Sequence, residues 1–323
     1  GWSLRYNGDV ILNTVTIVMY HYVRDLENSR YPLIKGLSTT HFVKQIEYLH
    51  SMYNIVSMEE VIDSIENNSK LPSNAVVLTF DDGYVDHYLN AFPVLDRLGL
   101  QGSFFIPVKP VVEHYVLDDN KIQFIISVSD DSTCIIDDIK SLLDKYEYYI
   151  DDFDSYYRKI ATPNGYDSGN IMFIKRMLQT ELPAEIRKKI VHELFDKYVG
   201  VEESVFSKEL YVNKEQVMHM HRHNMHIGIH GYNHSRWSKL NRRQLEQEIA
   251  LSLEFISEIG VDMDNWTACY PHGSYDKKTI DILNEKGCKL ALTIKAGVAN
   301  ISKESRFLLP RIDTINIPIN YDS

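Results

Sequence analysis

The chain has 323 residues, 44% of them hydrophobic, which is enough for one large α/β domain or two modest ones with a real core. Its 45 acidic and 34 basic side chains leave a formal net charge of -11, which argues against nucleic acid, because backbone binding there needs a basic face. Cys134, Cys269 and Cys288 are odd in number and lack zinc-knuckle or C-x-x-C spacing, so no disulfide framework is expected and the inferred compartment is the reducing cytoplasm.

The first apolar run, "TIVMY" at 16–20, reads as a buried strand, and after it a Ser38 cap precedes Phe42, Ile46 and Leu49 at helical spacing. The alternation continues with the strand "AVVLTF", the helix "HYLNAFPVLDRLGL" and the strand "GSFFIP", which ends at Pro107. It resumes with the strand "HIGIH" from His226, the helix "RRQLEQEIALSLEFISEIG", the strand "TACYPHG", the helix "DKKTIDILNEKG" and the strand "CKLALTI". Repeated βα units with fully apolar strands imply a parallel sheet, open or closed, with its chemistry at the carboxyl ends of the strands.

Residues 108–211 break this rhythm with acidic clusters and then amphipathic segments, Pro183 starting one of the helices. They read as a mainly helical insertion, either a lid over the site or a surface elaboration. The α/β domain is then discontinuous, 14–107 and 212–315, with terminal segments 1–13 and 316–323. No apolar run approaches the roughly 18 residues of a transmembrane helix, and the first 30 residues lack a signal pattern, although a chain starting at Gly1 leaves room for a removed leader.

Chemistry concentrates at two strand ends. "TFDDG" leaves its strand with Asp81 and Asp82 side by side, and "HGYNH" brings His230 and His234 to the end of another. A His-x-x-x-His pair places both rings on one face of a helical turn. With one carboxylate it makes the two-His, one-acid set of zinc-type catalytic sites, which keep positions open for water. A cation would offset one aspartate's charge and leave the other to serve as base. "MHMHRH" is different: His219, His221 and His223 are spaced by two, cannot share one helical face, and decorate the end of a helix begun by an Asn213/Gln216 capping box. His87 either faces solvent or packs.

Thr79 to Gly83 and His230 to His234 resemble the first two motifs of the polysaccharide deacetylases, the NodB-type carbohydrate esterases of family 4. The resemblance implies a distorted (β/α)7-type barrel carrying the helical insertion. It further implies Asp81 as catalytic base, and Asp82, His230 and His234 as ligands of a divalent ion, Zn2+ ahead of Co2+, Ni2+ or Mn2+. Tyr270, Pro271, His272 and Gly273 fall where the third motif should be and are expected to contact the substrate or its oxyanion; the motif's usual arginine is replaced, so Arg311 of "LPRID" is the group expected to orient Asp81. No histidine after His272 can be the general acid. His21, at the end of "VMYHYV", takes that role by resemblance to circularly permuted members, and the backbone N–H of Tyr84 would hold the oxyanion. The implied substrate is a carbohydrate bearing an N-acetylated amino sugar. A ureide-type hydrolase of small amides and an inactive sugar-binding protein on the same fold remain alternatives.

Overall fold

The computed structural model describes residues 13–318, so residues 1–12 and 319–323 of the two terminal segments lie outside the described residues. Its strands in chain order are β1 (Thr14–Tyr20), β2 (Asn54–Ile55), β3 (Ala75–Asp81), β4 (Gly102–Ile106), β5 (His226–Ile229), β6 (Ala268–Cys269), β7 (Ala291–Ala296), β8 (Ala299–Asn300) and β9 (Leu309–Asp313). Seven of them close a parallel barrel in the order β1, β3, β4, β5, β6, β7, β9 and back to β1, as the sequence led us to expect. The short β2 pairs with the first residues of β3, and β8 runs antiparallel to β1. Neither β2 nor the helix Met58–Asn67 was foreseen, although the helix carries a readable signal, a Ser57 cap followed by Met58, Val61, Ile62 and Ile65 at helical spacing.

Every residue of β3, β4 and β5 is buried, which explains their unbroken apolar character: a parallel strand in a barrel has covered faces on both sides. Period-two alternation sorts the side chains. Ile17, Val77, Phe105, Cys269, Leu292 and Leu309, from six different strands, converge in one cluster that fills the barrel. Their neighbours Val18, Val76, Leu78, Phe80 and Phe104 point outward and pack with Phe42, Ile46 and Leu95 of the surrounding helices. On that outer face Tyr20, Phe80 and Phe104 stack as a ladder, with ring centroids 4.9 and 4.7 Å apart.

The same alternation carries polar residues into the barrel mouth. Val77, Thr79 and Asp81 share the inner face of β3, so Asp81 stands at its carboxyl end. On β5, His226, Gly228 and His230 follow the same rule. Gly228 is required by proximity, since a Cβ there would lie 2.4 Å from the Phe105 ring and 2.7 Å from Thr267 Oγ1.

By contact clustering the chain forms two compact units, one comprising Gly1–Asp25, Gly36–Glu113 and Lys208–Ser323 and the other Leu26–Lys35 and His114–Ser207. The second is helical, and its acidic clusters serve as caps: Asp131 accepts from Thr133 N–H ahead of the helix Ser132–Lys145, and Asp152 from Ser155 N–H ahead of Phe153–Ile160. Within it Tyr31, Phe124 and Phe206 pack edge to face, and buried Lys121 pairs with Glu203 at 3.1 Å. No helix among the described residues is long and apolar enough to cross a membrane.

Gly228→Ala is expected to lower the free energy of unfolding by about 1–3 kcal/mol through overpacking, read by urea denaturation. A variant as stable as the parent would mean that the barrel interior has room at this point.

Candidate functional site

The carboxyl ends of β1, β3, β5, β6 and β9 deliver the site. Asp81 is the last residue of β3, and both of its oxygens face the guanidinium of Arg311 on β9, at 2.8 Å from Nη1 to Oδ1 and 2.7 Å from Nη2 to Oδ2. Arg311 is only 1% exposed, and its remaining donors are used as well: Nε donates to the Thr293 carbonyl and Nη1 also to Thr79 Oγ1. Burial by itself would raise the Asp81 pKa, but the charge and hydrogen bonds of Arg311 bring it down to about 2. In return the carboxylate raises Arg311 against the desolvation that would lower it. The structure thus places Arg311 where the sequence expected an orienting group for Asp81.

Cys269, at the end of β6, was missed. Its Sγ lies 3.2 Å from Arg311 Nη2 and 3.6 Å from Asp81 Oδ2, and burial raises its pKa well above the ordinary range, so it stands beside the ion pair as a neutral thiol. Nothing local in "CYPHG" signals this, because the guanidinium it meets arrives from another strand.

Asp82 belongs to a different environment. Its backbone takes φ 78° and the next residue, Gly83, φ 68°, so the chain turns sharply and the two adjacent carboxylates diverge. Asp82 Oδ1 lies 3.0 Å from His230 Nε2 and 3.2 Å from His234 Nε2, and the two ring nitrogens are 3.0 Å apart. Its Oδ2 accepts from the Tyr84 hydroxyl at 3.0 Å. Burial would raise the Asp82 pKa, but its contacts with His230 and His234 pull it well below the ordinary range.

His230 Nδ1 lies 2.8 Å from the Cys269 carbonyl, which can only accept, so this nitrogen carries the proton and Nε2 presents its lone pair to the cluster. The expectation that His230 and His234 lie on a helical turn is corrected here. They lie on a loop, bent through Gly231 at φ 79° and His234 at φ 55°. The helix Arg242–Ile259 supplies the support that an intrahelical ladder would otherwise give: buried Glu248 accepts from the N–H groups of Tyr232 and Asn233 and from Asn233 Nδ2. Sequence reasoning passed over Glu248 because a glutamate in an amphipathic helix reads as surface.

Asp82 Oδ1, His230 Nε2 and His234 Nε2 form a group able to hold a metal ion. The donor set fits one. Ligands about 2.0–2.2 Å from a tetrahedral ion lie roughly 3.3–3.6 Å apart, a few tenths of an ångström wider than the observed edges of 3.0, 3.2 and 3.0 Å. Two imidazole nitrogens and a carboxylate oxygen are also the donor types that a zinc-like ion takes. The local charge has the same bias: burial would lower the His230 pKa, but Asp82 and Asp81 raise it, so the site favours positive charge.

The other expected residues are placed as follows. His21 follows β1, with Nε2 3.7 Å from Asp81 Oδ2 and 3.9 Å from Asp82 Oδ2 and its side chain 43% exposed. Tyr84 is buried against Tyr22, ring centroids 4.0 Å apart, and it touches Asp82 through its hydroxyl, a contact not foreseen. Tyr270 does not fit a substrate-binding role: it is 1% exposed and its hydroxyl donates to the Phe307 carbonyl, because the inward-outward alternation that brings Cys269 inside sends Tyr270 into the outer core. Pro271, His272 and Gly273 form a short 3-10 turn, with His272 Nε2 3.2 Å from the His234 carbonyl. His87 packs, fully buried. His219 and His223 are bonded to Tyr88 and Asp96, remote from this cluster, and the Asn213/Gln216 capping box is present.

The family model described as "Polysaccharide deacetylase" matches residues 186–291, which takes in His230, His234 and 270–273 but stops short of the aspartates. YxkH of Bacillus subtilis, a protein named for the same family, is 27% identical over 108 residues, 33% of this chain and 37% of YxkH, so the match spans little more than a third of that relative. Among solved structures, the deacetylase PplD of Streptococcus pyogenes, in complex with acetate, is similar with TM-score 0.56 and 17% identity, over 94% of this chain and 92% of that one. IcaB of Ammonifex degensii gives TM-score 0.54 and 19% identity over 94% and 92%. A de-N-acetylase of Aggregatibacter actinomycetemcomitans gives 0.53 and 17% over 93% and 94%. At these identities the structural likeness establishes the fold.

Replacing Glu248 by Ala is expected to weaken the affinity of the site for an added divalent ion by about 10–100-fold, as loss of an outer support does, measured by calorimetric titration. Unchanged affinity would show that the histidine loop keeps its shape without the carboxylate.

Proposed function

The chain carries a polysaccharide deacetylase domain, and from that premise we propose that it hydrolyses the N-acetyl group of an amino sugar in a polysaccharide, glycoconjugate or sugar precursor, with the help of a divalent ion. The observation that carries this reading is the pair of adjacent aspartates in opposite environments, one in a donor triangle with two histidines and one clamped to an arginine.

Asp82, His230 and His234 would hold the ion, Zn2+ being the first choice for two nitrogens and one oxygen. The chemistry supplied by such an ion is Lewis acidity, which acidifies water and polarises a carbonyl. Asp81 accepts the proton of the attacking water on a carboxylate oxygen. With its pKa held near about 2 it is fully ionised at neutral pH, at the expense of intrinsic basicity. Arg311 fixes the plane of that carboxylate, so the remaining lone pairs point into the barrel mouth. The backbone N–H of Tyr84 is the donor assigned to the developing oxyanion.

His21 closes the cycle by giving a proton from Nε2 to the departing amine. It lies beyond hydrogen-bonding distance of both aspartates, so neither carboxylate ties up Nε2, and its exposure allows it to be reprotonated from solvent.

Acetate release from a panel of N-acetylated amino sugars, with metal content measured on the same samples, tests the scheme. Asp81→Asn should lower turnover by about 10² or more while leaving the ion bound. Asp82→Asn and His230→Ala should lose both. An Asp81→Asn protein with parental turnover would sink the assignment, and stoichiometric metal with no acetate from any sugar would favour the small-amide hydrolase instead.

A further inference from the structure

His21 is asked to aim a proton, yet its ring has no hydrogen bond among the described residues; the nearest groups are the two carboxylates at 3.7 and 3.9 Å. Its direction must therefore come from the backbone that carries it. That backbone, residues 21–24, has left the ladder of β1; Leu37 pairs with it through Tyr22 and Arg24, and three side chains of one short stretch hold it besides. His87 Nε2 lies 2.7 Å from the His21 carbonyl. Asn90 Nδ2 donates to the Val23 carbonyl at 2.8 Å. Asp86 Oδ2 accepts from Val23 N–H at 3.2 Å, and its carboxylate takes Arg24 through Nε and Nη2, both at 2.8 Å.

We propose that His87, assisted by Asp86 and Asn90, is a positioning residue that fixes His21 relative to Asp81. This rests on the function proposed above, in which His21 is the proton donor.

The surroundings of His87 favour this over simple packing. It is fully buried on the outer face of the barrel, its ring 5.2 Å from Phe80, 5.6 Å from Tyr84 and 6.1 Å from Phe104 between centroids. A phenylalanine would suit those neighbours. A carbonyl can only accept, so Nε2 carries the proton, and Nδ1 is then a buried acceptor with no partner among the described residues. Burial also lowers the pKa of the ring, which keeps it neutral and in that single tautomer. An imidazole placed here leaves one nitrogen unsatisfied and makes one hydrogen bond to protein, and that bond goes to the residue carrying the acid.

The stretch has a special shape as well. Directly after the "TFDDGY" turn the chain makes a π-helical turn, His87–Ala91, before the helix Phe92–Arg97, a distortion often found at functional sites. Asp81 and the residues that hold His21 are therefore parts of one continuous segment, 81–90. The base and the side chains that bond the backbone of the acid thus lie within ten residues of one another, with Leu37 bracing Tyr22 and Arg24 from the loop that follows.

The test compares an amide whose departing amine needs a proton, an N-acetylglucosamine oligomer, with p-nitrophenyl acetate, whose leaving group departs without one. Full-length His87→Phe, loaded with the same divalent ion as the parent, is expected to lose about 10–100-fold in kcat on the amide with KM within about twofold, and to keep its rate on the ester within about twofold. Metal content should not change. His87→Gln, which presents an N–H at nearly the same place, should recover most of the loss. If the two substrates fall together, or neither falls, the inference is overturned. If His87→Phe does not fold, Asn90→Leu is put through the same comparison: a loss on the amide alone supports the inference, and a loss on both substrates or on neither overturns it. A parent protein that releases acetate from the ester but from no N-acetyl sugar would bring down the proposed function, and this inference with it, and is told apart because the failure is then in the parent.

Discussion

A guanidinium and a carboxylate enclosed in the mouth of a barrel set the terms for everything around them. Arg311 is carried by the last strand and Asp81 by the third, and both of those strands flank β1. Neither charge is tolerable there alone; removing one partner of such a pair typically costs about 3–5 kcal/mol, because the other is left uncompensated in a medium that solvates it badly. The pair is complete only when β9 has docked against β1, so closure of the barrel and assembly of the Asp81–Arg311 pair go together. The neighbours follow from this: Thr79 is polar because it must meet Nη1, and Cys269 is small because Nη2 passes beside it.

With Asp81 thus neutralised, Asp82 can carry its charge a single residue away. Like charges this close would normally push one pKa upward. Here both are depressed, each by a different set of positive or donating groups, and the left-handed backbone at Asp82 and Gly83 turns the carboxylates apart. The strain of that turn is confined to the place where two oxygen pairs must serve two different partners.

Outside this inner ring, the supports come from elements with no chemistry of their own. The Cys269 carbonyl selects the tautomer of His230, Glu248 satisfies the N–H groups of the histidine loop, and His272 braces the His234 carbonyl. The 86–90 stretch does the corresponding work for the strand end that carries His21. Barrel strands supply position, and the helices and turns outside them supply direction, which is the division expected when function resides at strand ends.

The sequence by itself determined the βα alternation and the placement of Asp81 and Asp82 at one strand end and of His230 and His234 at another, while the closed barrel and the choice of Arg311 and His21 came with the resemblance of its motifs to a known family. The alternation and those placements are local properties: period-two burial, glycine at a turn, a polar residue closing an apolar run. The tertiary structure decided that the histidines meet across a loop held by Glu248 and not along a helix, that Tyr270 turns into the core, that Cys269 lies beside the ion pair, and that His87 is buried under His21. It also joined residues 26–35 to the helical unit. All of these depend on residues far apart in the chain meeting across the barrel or on which side of a strand faces inward, and a pattern of nearest neighbours carries no record of what lies across a closed sheet.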